Sequence, residues 1–216
     1  MRGTKIINEQ KINNIFTIFF IFWNYKYNLD SEKDFVMKSL DIIDKKNLDL
    51  KNKAVFLESR GADKEEIAEI LDNDSFSLSE FSDNFYNLLP ISLYSWSEKY
   101  LKKILSIIFK ENSKEFKLRK IMYEYKRHRI YLKNLTDFKI FNELRLVNNC
   151  IKHNGVVDAK LSKINSKWEK GKEINISKKQ IIDYLNGCIK FFNALMTMIN
   201  EKFIENPKNI ILVETV

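Results

Sequence analysis

Apolar residues recur every three or four positions along most of the chain, the spacing of one face of an α-helix. At the N-terminus this pattern predicts a buried helical face, followed by a second helix that begins at a capping box of Ser31 and Asp34. A short helix is expected after Asp63, and a longer one over Ser77–Lys110, broken or kinked at Pro90. The predicted N-terminal face consists of Ile6, Ile7, Ile12, Ile15, Phe16, Phe19 and Trp23.

The C-terminal half has the same periodicity with clearer start and stop signals. Helices are predicted over Phe116–Leu132 and Phe138–Asn154, and Gly155 suits the left-handed residue that closes many helices. The mixed pattern that follows predicts an irregular segment or a short hairpin. Ser177 is a typical N-cap for a last long helix, which we expect to reach about Phe203.

The chain has only five glycines and two prolines in 216 residues, too few turn-forming residues for an all-β fold. The fold is therefore predicted to be all-α, an up-and-down helical bundle with an additional N-terminal helical region. The predicted division gives residues 1–75 to that region, 76–206 to a four-helix bundle and 207–216 to a C-terminal tail.

The cysteines and the longest apolar run indicate a cytoplasmic protein. Cys150 and Cys188 are too few for a disulfide framework, so a reducing compartment is expected. The run Ile15–Trp23 has nine residues, well short of the roughly 20 that span a bilayer. It is preceded by Glu9 and followed by no small-residue cleavage site, so neither a signal peptide nor a membrane association is predicted.

The formal net charge of +8 is unevenly distributed. Lys99–Lys133 has twelve Lys and Arg against three acids, a net charge of +9. Glu58–Asp83 has nine acids against two basic residues, a net charge of −7. The first segment could bind a polyanion or an acidic partner, and the second a basic partner, including the first segment of another copy. A solvated lysine-rich surface is the alternative.

Common metal and cofactor sites have no counterpart in the sequence. The two histidines and two cysteines are scattered, and no HExxH spacing occurs. The five glycines lie too far apart to form a phosphate-binding loop. Neither a metal nor a cofactor is therefore expected.

The segment FKIFNELRLVNNCIKHNG predicts a helix with one apolar arc and one polar stripe. The arc consists of Ile140, Phe141, Leu144, Val147 and Ile151. The polar stripe consists of Asn142, Arg145, Asn149, Lys152 and His153. A guanidinium, a carboxamide and an imidazole in register could bind a phosphodiester and transfer a proton near neutral pH. Alternatively, His153 only terminates the helix, where its cationic form is favoured.

A second candidate surface interleaves basic and aromatic residues, as proteins that bind single-stranded nucleic acid do. The basic residues are Lys126, Arg127 and Arg129, and the aromatic ones are Tyr123, Tyr125, His128 and Tyr131. The alternative is that the tyrosines pack into the bundle while the arginines lie outside.

From about Leu88 to Phe203, a little over half the chain, the arrangement LLPISLYSWSEKYLKKIL, FNELRLVNNCIKHNG and FFNALM resembles the HEPN domain superfamily. Its members are small helical bundles, often dimers, and many are metal-independent endoribonucleases of toxin–antitoxin and phage-defence systems. Their signature is commonly RNxxxH. The residues that match its extended form are Glu143, Leu144, Arg145, Asn149, Ile151, His153 and Asn154, with Gly155 beyond them.

The chain departs from that signature at Asn148, which stands where the family has its arginine. Seven residues separate the nearest arginine, Arg145, from His153, a longer spacing than the family's. The resemblance implies that His153 assists attack by an RNA 2′-hydroxyl, while Arg145 and Lys152 stabilise the developing charge. Asn149 would orient the phosphate, and Asn148 would hydrogen-bond it.

The resemblance also implies an RNA substrate, a homodimer and an antitoxin or defence-system partner protein. Because an asparagine cannot neutralise a phosphate, a second interpretation stays open: a catalytically inactive HEPN-like module that binds RNA or protein in a defence assembly. Whether the chain is an enzyme is therefore not decided by its sequence.

Overall fold

The computed structural model describes residues 2–109, 111–112 and 115–202, with the side chains of residues 2–26, 29, 32 and 73 outside that description. These residues form an all-α protein, as predicted, without β-strands. The helices are α1 (Arg2–Ser59), α2 (Lys64–Ile108), α3 (Leu118–Arg127), α4 (Phe138–His153), α5 (Ala159–Ile164) and α6 (Lys178–Asn200), with a 3-10 turn at Leu132–Asn134. None of the described helices is long and apolar enough to cross a membrane.

The bundle forms where α2, α4 and α6 pack together around aromatic side chains. Phe141 of α4 stacks on Phe191 of α6 with ring centroids 4.7 Å apart, and both rings are buried. Trp96 and Tyr100 of α2 place their rings edge-on to Phe192, at 6.0 and 6.1 Å. Such pairs bury large apolar area and fix the orientation of the helices around the core.

The arm, residues 27–92, is an antiparallel pair formed by α1 and the first half of α2. Val36, Leu40 and Ile43 are buried and are spaced by four and three residues, so they form one inward stripe on α1. Leu78 and Leu89 are buried on the facing side of α2. The turn between the helices ends at Asp63, whose carboxylate accepts hydrogen bonds from the backbone N–H groups of Glu65 and Glu66.

Two predicted breaks in the arm are wrong. Ser31 does not cap a second helix; its hydroxyl donates to the carbonyl oxygen of Tyr27 at 3.0 Å, a bond compatible with an uninterrupted α1. The helix predicted after Asp63 is the beginning of α2, which continues through Pro90. Pro90 is buried and lines a small cavity with Leu93 and Ile181, so packing holds the chain helical on both sides of it.

The predicted boundary between residues 75 and 76 falls within α2. That helix passes through residues 75 and 76 without interruption, so the arm and the bundle share it. The boundary there stays a prediction. The predicted tail, residues 207–216, lies outside the described residues, as do the side chains of the predicted N-terminal apolar face.

The stop and start signals of the C-terminal half are confirmed. Gly155 follows α4 with φ +69°, and Ser177 forms a capping box with Gln180 at the start of α6. Between them lie α5 and an isolated bridge of Val156 with Glu173, in place of a hairpin. The third helix is shorter than predicted, because the chain turns at Arg129, whose φ is +58°.

Candidate functional site

The polar stripe lies along α4, but its members differ in accessibility. Lys152 and His153 are exposed in the last turn, whereas Arg145 and Asn149 are half-buried. The opposite arc packs inward as predicted, with Phe141, Leu144 and Val147 buried; Ile140 and Ile151 are half-buried. At 1.5 Å per residue, Arg145 and His153 are about 12 Å apart along the helix axis, so one chain does not bring them into a single cluster.

Asn148 lies beneath the polar stripe of α4. Only 2% of the residue is exposed. Its Nδ2 donates to Oδ1 of Asn149 at 3.4 Å, while its own Oδ1 has no hydrogen-bond partner among the described residues. The buried Asn148 amide therefore contacts Asn149 from the core side of the helix and presents no group to a ligand on the surface.

Arg145 is held in place by its neighbour one turn earlier. Its Nε and Nη2 donate to Oδ1 of Asn142 at 3.1 and 2.9 Å. Its charge also acts on Tyr94 of α2: burial and the Glu98 carboxylate raise the pKa of that phenol, and Arg145 opposes them. Lys102 pairs with Glu98 at 2.7 Å.

Tyr94 and Glu98 therefore belong to the surroundings of Arg145, and sequence reasoning missed them. They are four residues apart on α2, a spacing that places two side chains on the same face of a helix. That spacing was the available signal. It became informative only once the structure placed α2 beside α4.

Glu143, one turn into α4, organises the segment between α4 and α6. Its carboxylate accepts hydrogen bonds from Trp168 Nε1 at 2.9 Å, Tyr184 Oη at 3.0 Å and Asn165 Nδ2 at 3.0 Å. Lys167 adds an ion pair at 2.9 Å. Burial raises the pKa of Glu143, but these hydrogen bonds and the lysine charge more than offset it, so the pKa lies below its ordinary value.

The end of α4 that carries His153 is anchored by backbone hydrogen bonds. The carbonyl oxygen of Gly155 accepts from Ile174 N at 2.7 Å, and Asn154 Oδ1 accepts from Val156 N at 3.1 Å. Asn154 is the C-cap residue of α4, and its backbone N–H donates to the carbonyl oxygen of Cys150. His153 remains exposed on a fixed helix end.

The basic residues of α3 and of the turn after it differ in whether they form ion pairs. Arg127 Nη1 pairs with Glu124 Oε2 at 2.6 Å and with Glu111 Oε1 at 3.2 Å, and Lys120 also pairs with Glu124. Lys126 and Arg129 are exposed. Of the three RNA-binding side chains predicted in this region, Lys126 and Arg129 are therefore presented to solvent without those ion pairs.

The aromatic residues of this region divide between core and surface. Tyr125 is fully buried and donates to the carbonyl oxygen of Leu101 at 3.1 Å. His128 stacks on Phe109 with ring centroids 3.9 Å apart, and burial lowers the pKa of its imidazole. Tyr123 and Tyr131 are 56% and 50% exposed, so these two could stack on a base.

The basic and aromatic surface lies near the start of α4, whereas Lys152 and His153 of the polar stripe lie at its end. The turn Leu132–Asn134 contacts both α3 and α4 and leads into the start of α4, whereas Lys152 and His153 occupy its last turn. The 16 residues of α4 make the helix roughly 22 Å long. Within the described residues, no group of three His, Cys, Asp or Glu side chains is arranged to hold a metal ion.

No protein-family model matches the chain, and no curated protein or solved structure matches it either. The residues and contacts above are therefore the basis for any statement about function.

Proposed function

We propose that this chain is an HEPN-like, metal-independent endoribonuclease, of the kind found in toxin–antitoxin and phage-defence systems. The observation that supports this best is the exposed imidazole of His153 on a fixed helix end. Lys152 is adjacent to it, and Asn149 lies one turn earlier on the same stripe. An imidazole is the usual general acid–base group near neutral pH.

In this proposal His153 removes the proton of an RNA 2′-hydroxyl, and the resulting oxygen attacks the adjacent phosphorus. The bond from phosphorus to the 5′-oxygen breaks, and that oxygen takes up a proton from water, leaving a 2′,3′-cyclic phosphate and a 5′-hydroxyl. Lys152 is the neighbouring cation and stabilises the charge of the pentacovalent phosphorus. Arg145, about 12 Å along the helix, would hold another phosphate of the same strand or act at a site completed by a second subunit.

A catalytically inactive module is the second candidate, and the burial of Asn148 favours it. The position of the family's arginine is occupied by a neutral side chain that is 2% exposed. Losing one preorganised group at a developing negative charge typically costs on the order of 100-fold or more in rate. The polar stripe and the surface around Lys126 would then bind RNA or a defence-system partner without cleaving it.

Incubating purified protein with structured RNA in EDTA tests the first candidate. We expect the wild type to cut the RNA and leave 2′,3′-cyclic phosphate ends, and His153→Ala to abolish cleavage without changing thermal stability. Lys152→Ala should slow cleavage. Lys163→Ala, an exposed lysine of α5, is the matched control and should cut at the wild-type rate.

The second candidate gives a different result in the same samples. RNA that is bound but not cut by both wild type and His153→Ala would replace the nuclease proposal with the binding module. Binding through phosphates should weaken steeply with salt. An absence of both cleavage and salt-sensitive binding would refute both RNA proposals and leave a protein-binding role.

A further inference from the structure

The arm has one side that is unusually apolar for a surface. Three exposed apolar residues lie on α1, namely Phe35, Ile42 and Phe56, with 58%, 53% and 53% of their surface accessible. Three more lie on α2, namely Ile70, Phe81 and Leu88, at 44%, 52% and 62%. We call these six residues the free face. Isolated exposed apolar residues are common, but a concentration of them on one side of a helix pair marks an interaction site.

The six residues share a side because each directly precedes an inward-facing residue. On α1, Phe35 precedes Val36 and Ile42 precedes Ile43. On α2, Leu88 precedes the buried Leu89. In an antiparallel helix pair, positions with the same offset from the inward stripe lie on the same side of the pair.

The two helices also place these residues at matching heights. The ion pair of Lys53 with Asp74, at 3.3 Å, shows which positions of α1 and α2 are level. By that register Phe56 lies level with Ile70, and the other two pairs lie within about one helical turn of each other. The free face therefore consists of two neighbouring apolar pairs, Phe35 with Leu88 and Ile42 with Phe81, and a third pair, Phe56 with Ile70, beyond the level of the Lys53–Asp74 ion pair.

The opposite side of the arm contacts the bundle. Asp44 follows the inward Ile43 and bonds to Lys178 at the start of α6. Pro90 follows Leu89 and lines a cavity with Ile181 and Leu185 of α6. The free face points away from α6, and its six side chains are left accessible in the described part of the chain.

Charge in the half of the arm nearest its turn favours a second copy as the occupant. On α1 and the turn, residues 45–60 have five basic and two acidic side chains, a net charge of +3. On α2, residues 63–83 have eight acidic side chains and one lysine, a net charge of −7. A surface with opposite charges side by side is complementary to itself when α1 of one copy lies over α2 of the other.

The exposed area is also of the right size for self-association. Side chains of this kind present roughly 150–250 Å² each, and about half of each is accessible here, so the six contribute on the order of 600 Å² per copy. A stable interface buries about 800 Å² per partner, of which the apolar centre is only a part. Polar residues around the free face can supply the remainder.

We propose that the free face binds the free face of a second copy, so that two arms form an antiparallel four-helix assembly. A two-fold axis parallel to the arm places α1 of each copy against α2 of the other. The proposal does not rest on RNA cleavage or RNA binding.

Sedimentation of the full chain tests the proposal. We expect the wild type to sediment as a dimer at micromolar concentration, and Ile42→Glu and Phe81→Glu each to weaken dimerisation at least 10-fold. Leu48→Glu and Val55→Glu are the matched controls, because these residues are 57% and 64% exposed but follow inward positions and so lie on the other side of the arm. All four positions are exposed, and circular dichroism verifies that the variants are folded.

Cysteine cross-linking tests the arrangement itself. The native Cys150 and Cys188 are buried, so an engineered thiol reports only on its own position. Mixing Ile42→Cys chains with Phe81→Cys chains under oxidising conditions should give a disulfide-linked mixed dimer, and in higher yield than either variant alone. A monomeric wild type, or a dimer unaffected by the glutamates on the free face, would overturn the proposal; a missing mixed cross-link would overturn the α1-to-α2 arrangement.

Discussion

Gly187 of α6 lies so close to Ile140 of α4 that a Cβ atom at residue 187 would be 2.8 Å from the Cβ atom of Ile140. Cβ atoms are fixed to the backbone, so side-chain rotation cannot relieve such a contact. The two helices approach here because one of them has no side chain at this position. This close approach sets the spacing of the helices that frame the aromatic core.

Gly187→Ala should therefore destabilise the protein. Overpacking costs about 1–3 kcal/mol, and the better helix propensity of alanine returns about 1 kcal/mol, so we expect a net loss of up to about 2 kcal/mol. Urea unfolding measures the change. Asn186→Ala, at the exposed neighbouring position, is the control and should be neutral or slightly stabilising; an equal gain for both variants would contradict the steric argument.

Glu143→Gln should destabilise the protein in a pH-dependent way. The carboxylate accepts three side-chain hydrogen bonds and pairs with Lys167, and a charged acceptor of this kind is worth about 1.5–3 kcal/mol. Because the folded-state pKa lies below the ordinary value of 4.5, this contribution is present above pH 4.5 and is lost as pH falls through the folded pKa.

The measurement is the unfolding free energy of wild type and Glu143→Gln between pH 3 and pH 7. The difference should be largest near pH 7 and should shrink as the pH falls below 4.5. Glu169→Gln, an exposed residue of the same segment, should show little difference at any pH. A constant difference across this range would mean that the carboxylate charge is not what stabilises the segment.

Lys126→Ala should lower both the RNA affinity and the salt dependence of binding more than Arg127→Ala does. Arg127 is engaged by Glu124 and Glu111, whereas Lys126 is exposed without those ion pairs. Each lost phosphate contact to a single strand lowers the salt slope by about 0.7. Fluorescence anisotropy with labelled single-stranded RNA at several salt concentrations measures that slope, and a larger change for Arg127→Ala would reverse the assignment.

Cys188 should be nearly unreactive towards thiol reagents in the folded protein. Burial raises the pKa of its thiol to about 12, although the hydroxyl of Ser97 approaches the sulfur at 3.8 Å. Only the thiolate reacts, and each unit of pKa lowers its fraction tenfold. Labelling with a disulfide reagent at pH 8 should proceed quickly for an added Ser166→Cys, and for the native cysteines only after unfolding.

The ends of helices were predictable where a single residue type determines the local geometry. Gly155 and Ser177 fulfil their predicted roles because a left-handed φ and an N-cap hydroxyl depend on a few neighbouring atoms. Ser31 was misleading for a related reason. Its hydroxyl can bond forwards to cap a helix or backwards within one, and only packing decides between the two.

The candidate site was predictable on α4 but not beyond it. Spacing alone indicates that Asn148 points inward, since it follows the buried Leu144 by four residues, yet the resemblance implied that it hydrogen-bonds a phosphate. The partners of Glu143, by contrast, come from residues 165–184 and could not be inferred from local pattern. Contacts between segments far apart in sequence require the packed structure.

The continuity of α2 has a mechanical consequence. One unbroken helix connects the free face with Tyr94 and Glu98, the residues beside Arg145, and no loop separates them. Pro90 lacks the N–H that would bond to the carbonyl oxygen of Tyr86, so the helix is most easily bent there. Movement of the arm should therefore bend α2 at Pro90 and shift Tyr94 and Glu98, the residues beside Arg145.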